Sequence, residues 1–204
     1  IFLGIDTLVE AIDQAAEVPG PFQGIGLVAI GAVGVFLLLR GLSQQEQSVE
    51  RNEAERRLSV AYLIALGIGL HNLGEGLAIG AAYNVGEISL GTFLVVGFII
   101  QNITEGLGII APVLRDQTRL RDLFYLGLLG GAPAILGAWL GGFSPSPILA
   151  VLFLGVGTGA IFEVAYEIGL MLQKDKEAKK SPYAIFAGVF AGMLILWVTG
   201  LIIK

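Results

Sequence analysis

Apolar residues run along this chain in blocks far longer than a soluble helix or strand needs, separated by short polar or proline-bearing segments. Crossing the hydrocarbon core of a bilayer takes roughly 20 predominantly apolar residues. Six blocks reach that length, at about 22–42, 58–84, 88–114, 123–142, 146–172 and 183–203. Residues 1–17 form a seventh, shortened at its start and unusually acidic. Pro19-Gly20-Pro21, Ser144-Pro145-Ser146-Pro147 and Ser181-Pro182 fall between blocks, where chain breakers belong. The pattern predicts an all-α integral membrane protein, a helical bundle of seven visible transmembrane segments. They form one transmembrane domain over 1–204, and the longest polar loop spans 43–57.

Composition agrees. Only 14% of the 204 residues are charged, against roughly 25% in soluble domains, so lipid is the solvent for most of the surface. Thirty glycines let transmembrane helices approach closely. The absence of cysteine rules out both a disulfide framework and a thiolate metal site. The chain opens at Ile1 without an initiator Met or a basic lead segment, so it is expected to lack its natural N-terminus and shows no signal peptide.

The basic residues orient the bundle. Arg40, Arg51, Arg56 and Arg57 surround one loop, Arg115, Arg119 and Arg121 a second, and Lys174, Lys176, Lys179 and Lys180 a third. The alternating loops near 18–21, 85–87 and 143–146 carry no Lys or Arg. Eleven of the twelve basic residues thus share one side, leaving Lys204 at the other. The positive-inside rule makes that side cytoplasmic and places the C-terminus outside.

Chemistry concentrates in two copies of one short pattern, thirty residues apart and both inside apolar blocks. The first reads His71-Asn72-Leu73-Gly74-Glu75-Gly76-Leu77, the second Gln101-Asn102-Ile103-Thr104-Glu105-Gly106-Leu107. A carboxylate at mid-membrane depth costs about 2.5–3.5 kcal/mol or more, and such a residue is by default a functional candidate. On a helix, residues four apart share a face, so His71 projects with Glu75 and Gln101 with Glu105, while Asn72 and Asn102 stand beside them. If the two helices pack together, six N and O ligands converge. Imidazole with carboxylate suits zinc and neighbouring divalent metals, while carboxylate and amide oxygens tolerate harder ions. Gly76 and Gly106 are expected to let the backbones pack closely, and Gly74 to loosen the first helix and free a carbonyl. The plainer reading is a core histidine with asparagines bonded across helices; two matched intramembrane glutamates weigh against it.

These motifs resemble those of the ZIP (Zrt/Irt-like) divalent metal transporters, whose fourth and fifth helices carry His-Asn-x-x-Glu-Gly and a related x-x-x-Glu-Gly. The resemblance covers nearly the whole chain, with residues 1–17 matching the second helix. It implies an eight-helix fold with both termini outside and a binuclear metal centre halfway across. It assigns His71, Glu75, Gln101 and Glu105 to the first metal position, and Asn72 and Asn102 to the second. The chain departs from the pattern in places. Gly74 and Thr104 stand where proline is frequent, Asn102 where some bacterial members have Asp, and Gly131-Ala132-Pro133 lacks the glutamate those members place before the proline. The second position therefore loses anionic ligands. The histidine-rich loop of many members is also missing; residues 43–57 offer Glu46, Glu50, Glu53 and Glu55.

Further acidic residues lie in apolar blocks. Glu163 and Glu167 share a helical face and are candidates to line the ion path; Glu167 matches an acidic position common in the family's seventh helix. The plainer reading is a hydrogen-bonded pair at a helix interface. Asp6, Glu10, Asp13 and Glu17 recur at steps of four, three and four, one helical stripe. Asp6, Glu10 and Asp13 are the expected external entrance, with Glu17 read as a solvated helix end. Glu50, Glu53, Arg56 and Arg57, at helical spacing, are expected to form a solvated helix that continues into the second apolar block.

The reading is a divalent metal transporter carrying zinc, with Cd, Fe or Mn as other substrates, into the cytoplasm. The resemblance implies elevator-type alternating access, for which the glycines of 123–142 would supply sliding surfaces. Affinity should fall as pH drops, because bound ligands must be deprotonated. The alternatives are an intramembrane metallohydrolase, for which one histidine is thin, and a metal sensor, for which no soluble signalling domain is visible. No prosthetic cofactor and no nucleic-acid partner are expected. The bilayer and the metal ion are the expected partners, with a homodimer implied by the resemblance and a prokaryotic plasma membrane the expected location.

Overall fold

The computed structural model describes residues 1–47, 52–144, 146–174 and 182–203. Glu50, Arg51, Lys176, Lys179, Lys180 and Lys204, together with residues 48–51 of the 43–57 loop, lie outside the described residues. Seven α-helices stand among those described: α1 Phe2–Ala15, α2 Gly24–Gln47, α3 Glu53–Asn84, α4 Ile88–Ile110, α5 Leu120–Phe143, α6 Pro147–Lys174 and α7 Pro182–Ile203. Each falls on one of the seven predicted segments, and the protein is an all-α membrane bundle.

Five helical segments are long and apolar enough to cross a bilayer: Gly20–Gln45, Glu53–Asn84, Ile88–Val113, Leu120–Phe143 and Pro147–Gln173. In α7 the apolar run Pro182–Val198 is shorter, and α1 has only 14 residues. The predicted polar loop is shorter than expected, because helix enters it from both sides. Asn52 explains the sharp start of α3: its Oδ1 accepts the Glu55 N–H at 2.9 Å, and Glu55 Oε2 accepts the Asn52 N–H at 3.1 Å. This reciprocal cap satisfies two donors that the first helical turn would leave unpaired.

Two seams of backbone contact organise the bundle. Between α3 and α5, a Cβ placed on Gly69, Gly76 or Gly80 would collide with the carbonyls of Leu129, Ala134 and Ala138; from the other side, Gly137 and Gly141 meet those of Leu73 and Leu77. Between α2 and α6, Gly31, Gly155 and Gly159 abut Leu152, Val28 and Ala32 in the same way. Helices without side chains at the crossing gain van der Waals contact that lipid cannot match. The α5 glycines therefore lock α5 onto α3. Gly127 and Gly131, which were expected to slide, face open space. Gly76 packs as expected, but nothing approaches Gly106, and α3 runs unbroken through Gly74.

The α3–α5 pair and the α2–α6 pair meet where α3 crosses α6. There Gly157 brings the α6 backbone against the Cα of His71, and Gly67 receives Val164. Two apolar clusters flank this crossing. Toward the arginine-bearing end, Ala61, Ile64, Ile68, Ile109, Leu126 and Val164 pack together; toward the other end, Ala11, Val18, Val28, Val151 and Leu154 do so.

Candidate metal site

His71 stands midway along α3 between Arg57 and Asn84, roughly 20 Å from each at ~1.5 Å rise per residue. It is buried, as are Asn72 and Glu105. The predicted convergence is present: α3 and α4 pack so that both motifs face each other. His71 Nε2 lies 3.4 Å from Glu75 Oε1 and 3.8 Å from Glu105 Oε1. Gln101 Nε2 stands 3.5 Å from His71 Nε2 and donates to Glu105 Oε1 at 3.2 Å. Glu75, Gln101 and Glu105 thus surround the Nε2 of His71, the fourth residue given to the first metal position.

The spacing suits zinc. Ligand atoms about 2.1 Å from a tetrahedral ion sit roughly 3.4 Å from one another, close to the His71–Glu75 separation. Among the described residues no group of three or more His, Cys, Asp or Glu stands close enough together to hold a metal ion, and Glu105 Oε1, which accepts from Gln101, lies 3.8 Å from His71 Nε2.

Three oxygens carry the functional argument. Asn72 Oδ1, Glu75 Oε2 and Glu105 Oε2 are buried with no hydrogen-bond partner. Each such atom costs about 1–3 kcal/mol, more when charged, and proteins pair nearly all of them. All three belong to residues of the two motifs.

Asn72 and Asn102 form a neutral annex. Asn72 Nδ2 donates to Asn102 Oδ1 at 3.0 Å and to the Gly130 carbonyl at 2.9 Å, while Asn102 Nδ2 donates to the Phe98 carbonyl at 2.9 Å. The backbone oxygen here comes from Gly130 on α5, next to the Gly131-Ala132-Pro133 stretch that lacks a glutamate. The amides are thus committed to one another.

Thr7 on α1 is a site residue that sequence reasoning missed. Its Oγ1 donates to the Leu3 carbonyl at 2.9 Å and stands 3.5 Å from His71 Nδ1. With its proton committed to Leu3, the hydroxyl is placed to accept from an Nδ1–H; in that neutral tautomer Nε2 carries the lone pair on the side of Glu75 and Glu105. The available signal was the small-residue stripe Gly4, Thr7, Ala11 and Ala15, the buried face of α1.

The remaining candidates lie on either side. Asp6, Glu10 and Asp13, with Val9 and Gln14, line a cavity of about 240 Å³, and Glu10 is within Coulombic reach of His71. Glu17 is exposed and outside that cavity. Glu163 and Glu167 are not in the central set but farther along α6. Glu167 Oε2 accepts from Arg40 Nη1 at 3.0 Å and from Ser43 Oγ at 2.8 Å.

A model of the ZIP zinc transporter family matches residues 37–199, which include both motifs and every helix from α3 to α6. The chain belongs to the ZIP zinc transporter family. The zinc transporter ZIP5 of Homo sapiens is 34% identical over 146 residues, 69% of this chain and 27% of that protein. The zinc transporter ZupT of Salmonella newport (strain SL254) is 29% identical over 211 residues, 97% of this chain and 80% of that protein; ZupT of Salmonella agona (strain SL483) matches equally. The chain thus spans about a quarter of the human relative and four fifths of the bacterial ones. No solved structure matches.

Proposed function

We propose that this member of the ZIP zinc transporter family carries a divalent metal ion, zinc first, across the membrane into the cytoplasm. His71, Glu75, Gln101 and Glu105 are its central ligands and the Asn72–Asn102 pair a weaker neighbour. The observation that carries this reading is the set of three unpartnered buried oxygens beside His71. The names of the relatives, all zinc transporters, support zinc over other metals and transport over hydrolysis or sensing.

Direction follows from charge. The arginine-bearing end is cytoplasmic by the positive-inside rule, which puts the acidic cavity of α1 and the C-terminus outside. The ion arrives through Asp6, Glu10 and Asp13, exchanges its water for the central ligands, and leaves toward the arginine-bearing end past Glu163 and Glu167. The two glycine seams support an elevator-type cycle, since they divide the bundle into two tightly knit pairs that touch along the α3–α6 crossing. The membrane is a prokaryotic plasma membrane. The apolar surface of α7, exposed along its described length, faces lipid or a second copy in a homodimer.

The test is zinc flux into proteoliposomes by wild type and Glu75→Ala. Saturable uptake that disappears in the variant supports the reading. Zinc binding without flux in the wild type would sink transport.

A further inference from the structure

An apolar groove of about 450 Å³ runs along the α3–α5 pair, walled by Tyr62 of α3 and by Tyr125, Leu129, Ala132, Pro133 and Leu136 of α5. It shares no residue with the central ligands or with the acidic cavity of α1. Helical period puts its α5 wall on the flank opposite Gly127 and Gly131, which face open space.

Its length limits what can fill it. From Tyr125 to Leu136 the groove follows α5 for roughly 16 Å at ~1.5 Å per residue. One leaflet of a hydrocarbon core about 30 Å thick has that depth. A further membrane-crossing helix would need both leaflets, whereas a single acyl chain needs one.

Charge at the mouth selects the headgroup. The groove opens toward the arginine-bearing end, where Tyr62 and Tyr125 stand as interfacial aromatic residues do. Arg121, one turn before Tyr125 on α5, is within Coulombic reach of Tyr62, as is Asp122. The α4–α5 connection and the first turn of α5 carry Arg115, Arg119 and Arg121 against Asp116 and Asp122. Asp116 is committed to Arg57, so three guanidiniums outnumber the one remaining carboxylate. Ion pairs among the described residues take Arg40 and Arg57 and leave out Arg121. Apolar walls one leaflet deep, with surplus positive charge at the mouth, complement a lipid whose headgroup is anionic.

We propose that this groove binds one acyl chain of an anionic phospholipid from the leaflet at the arginine-bearing end, with Arg121 on its headgroup. The deep half of the groove lies behind the metal helix. There the Leu129 carbonyl and the Pro133 ring abut Gly69, two residues before His71, so the bound chain braces the α3–α5 seam beside the central ligands. Binding in the groove is independent of whether the protein moves metal.

The chain has no cysteine, so a fluorophore can be fixed at one chosen position. The full chain labelled at Ala132→Cys is reconstituted in phosphatidylcholine and titrated with brominated phosphatidylglycerol or brominated phosphatidylcholine, whose chains quench on contact. Phosphatidylglycerol should quench at a mole fraction about fivefold lower, the effect of one arginine at an anionic headgroup. Arg121→Gln should erase that difference, and a label at Gly131→Cys, on the opposite flank, should show none. Equal quenching by the two lipids at Ala132→Cys would mean ordinary boundary lipid and overturns the proposal, as does a preference that survives Arg121→Gln. Quenching by neither lipid would mean that protein covers the groove, and overturns it as well. Should the Ala132→Cys protein fail to elute as one monodisperse species, Leu128→Cys, at an exposed position of the same groove, reads the same contrast.

Discussion

Thr7 Oγ1 stands 3.5 Å from His71 Nδ1 with its own proton committed to the Leu3 carbonyl. A residue of α1, far from both motifs in sequence, thereby offers an acceptor to the imidazole nitrogen turned away from Glu75 and Glu105. Thr7→Val keeps the shape and removes the acceptor. Zinc affinity should fall about tenfold, the usual effect of losing a partner behind a metal-binding histidine. Thr7→Ser should restore it. Isothermal titration of the purified variants separates this from a packing defect, in which Val would be the better tolerated.

The α1 cavity makes a kinetic prediction. On the proposed entrance role, Asp6, Glu10 and Asp13 raise the local cation concentration without binding the ion tightly. Asp13→Asn should raise the half-saturating zinc concentration up to roughly tenfold at low ionic strength and leave the maximal rate intact. The difference should shrink near ~0.15 M salt, where charges are screened over about 8 Å. Unchanged concentration dependence would remove the entrance role.

Glycines of the two kinds should respond oppositely. Gly137→Val forces a side chain into the Leu73 carbonyl across the α3–α5 seam. Backbone cannot yield there as a side chain would, so a loss of ~1–3 kcal/mol or more is expected. Gly131→Ala and Gly106→Ala meet open space and should be neutral or slightly stabilising, since alanine favours the helix by about 1 kcal/mol. Thermal unfolding in detergent reads both.

At the arginine-bearing end, Arg57 holds Asp116 with two bonds, Nε to Oδ2 at 2.8 Å and Nη2 to Oδ1 at 2.7 Å. That pairing pins the α4–α5 connection to the start of α3. The guanidinium holds the Asp116 carboxyl below its ordinary value. A depressed folded pKa contributes stability that is complete above the unfolded aspartate value, near ~4, and is lost as pH falls through the folded one. Asp116→Asn should therefore be less stable than wild type at neutral pH, and the two melting curves should converge as the medium is acidified below that range. A gap that persists in acid would assign the effect to packing.

The seven helices were legible because lipid imposes a length and apolarity that no other surroundings require, and because prolines interrupt the chain between spans. The motifs were legible for a related reason: His71, Glu75, Gln101 and Glu105 stand out where polar residues are costly, and four-residue spacing places each pair on one face. Gly106, Gly127 and Gly131 were misread, since a glycine in a sequence does not say which neighbour it meets. Only the packing separates Gly76 and Gly137, wedged against carbonyls, from those facing open space.

The sequence by itself therefore determined the class of protein, its apolar helical segments, its charge asymmetry and which polar residues the two motifs present on each helix face, all consequences of local composition and helical period. The tertiary structure alone decided that Thr7 meets His71, that the Gly130 carbonyl engages Asn72, and that Arg40 answers Glu167 while Glu163 stays unpaired. Those relationships join residues many turns apart on different helices. They depend on how backbones cross, and helical periodicity carries no record of the crossing.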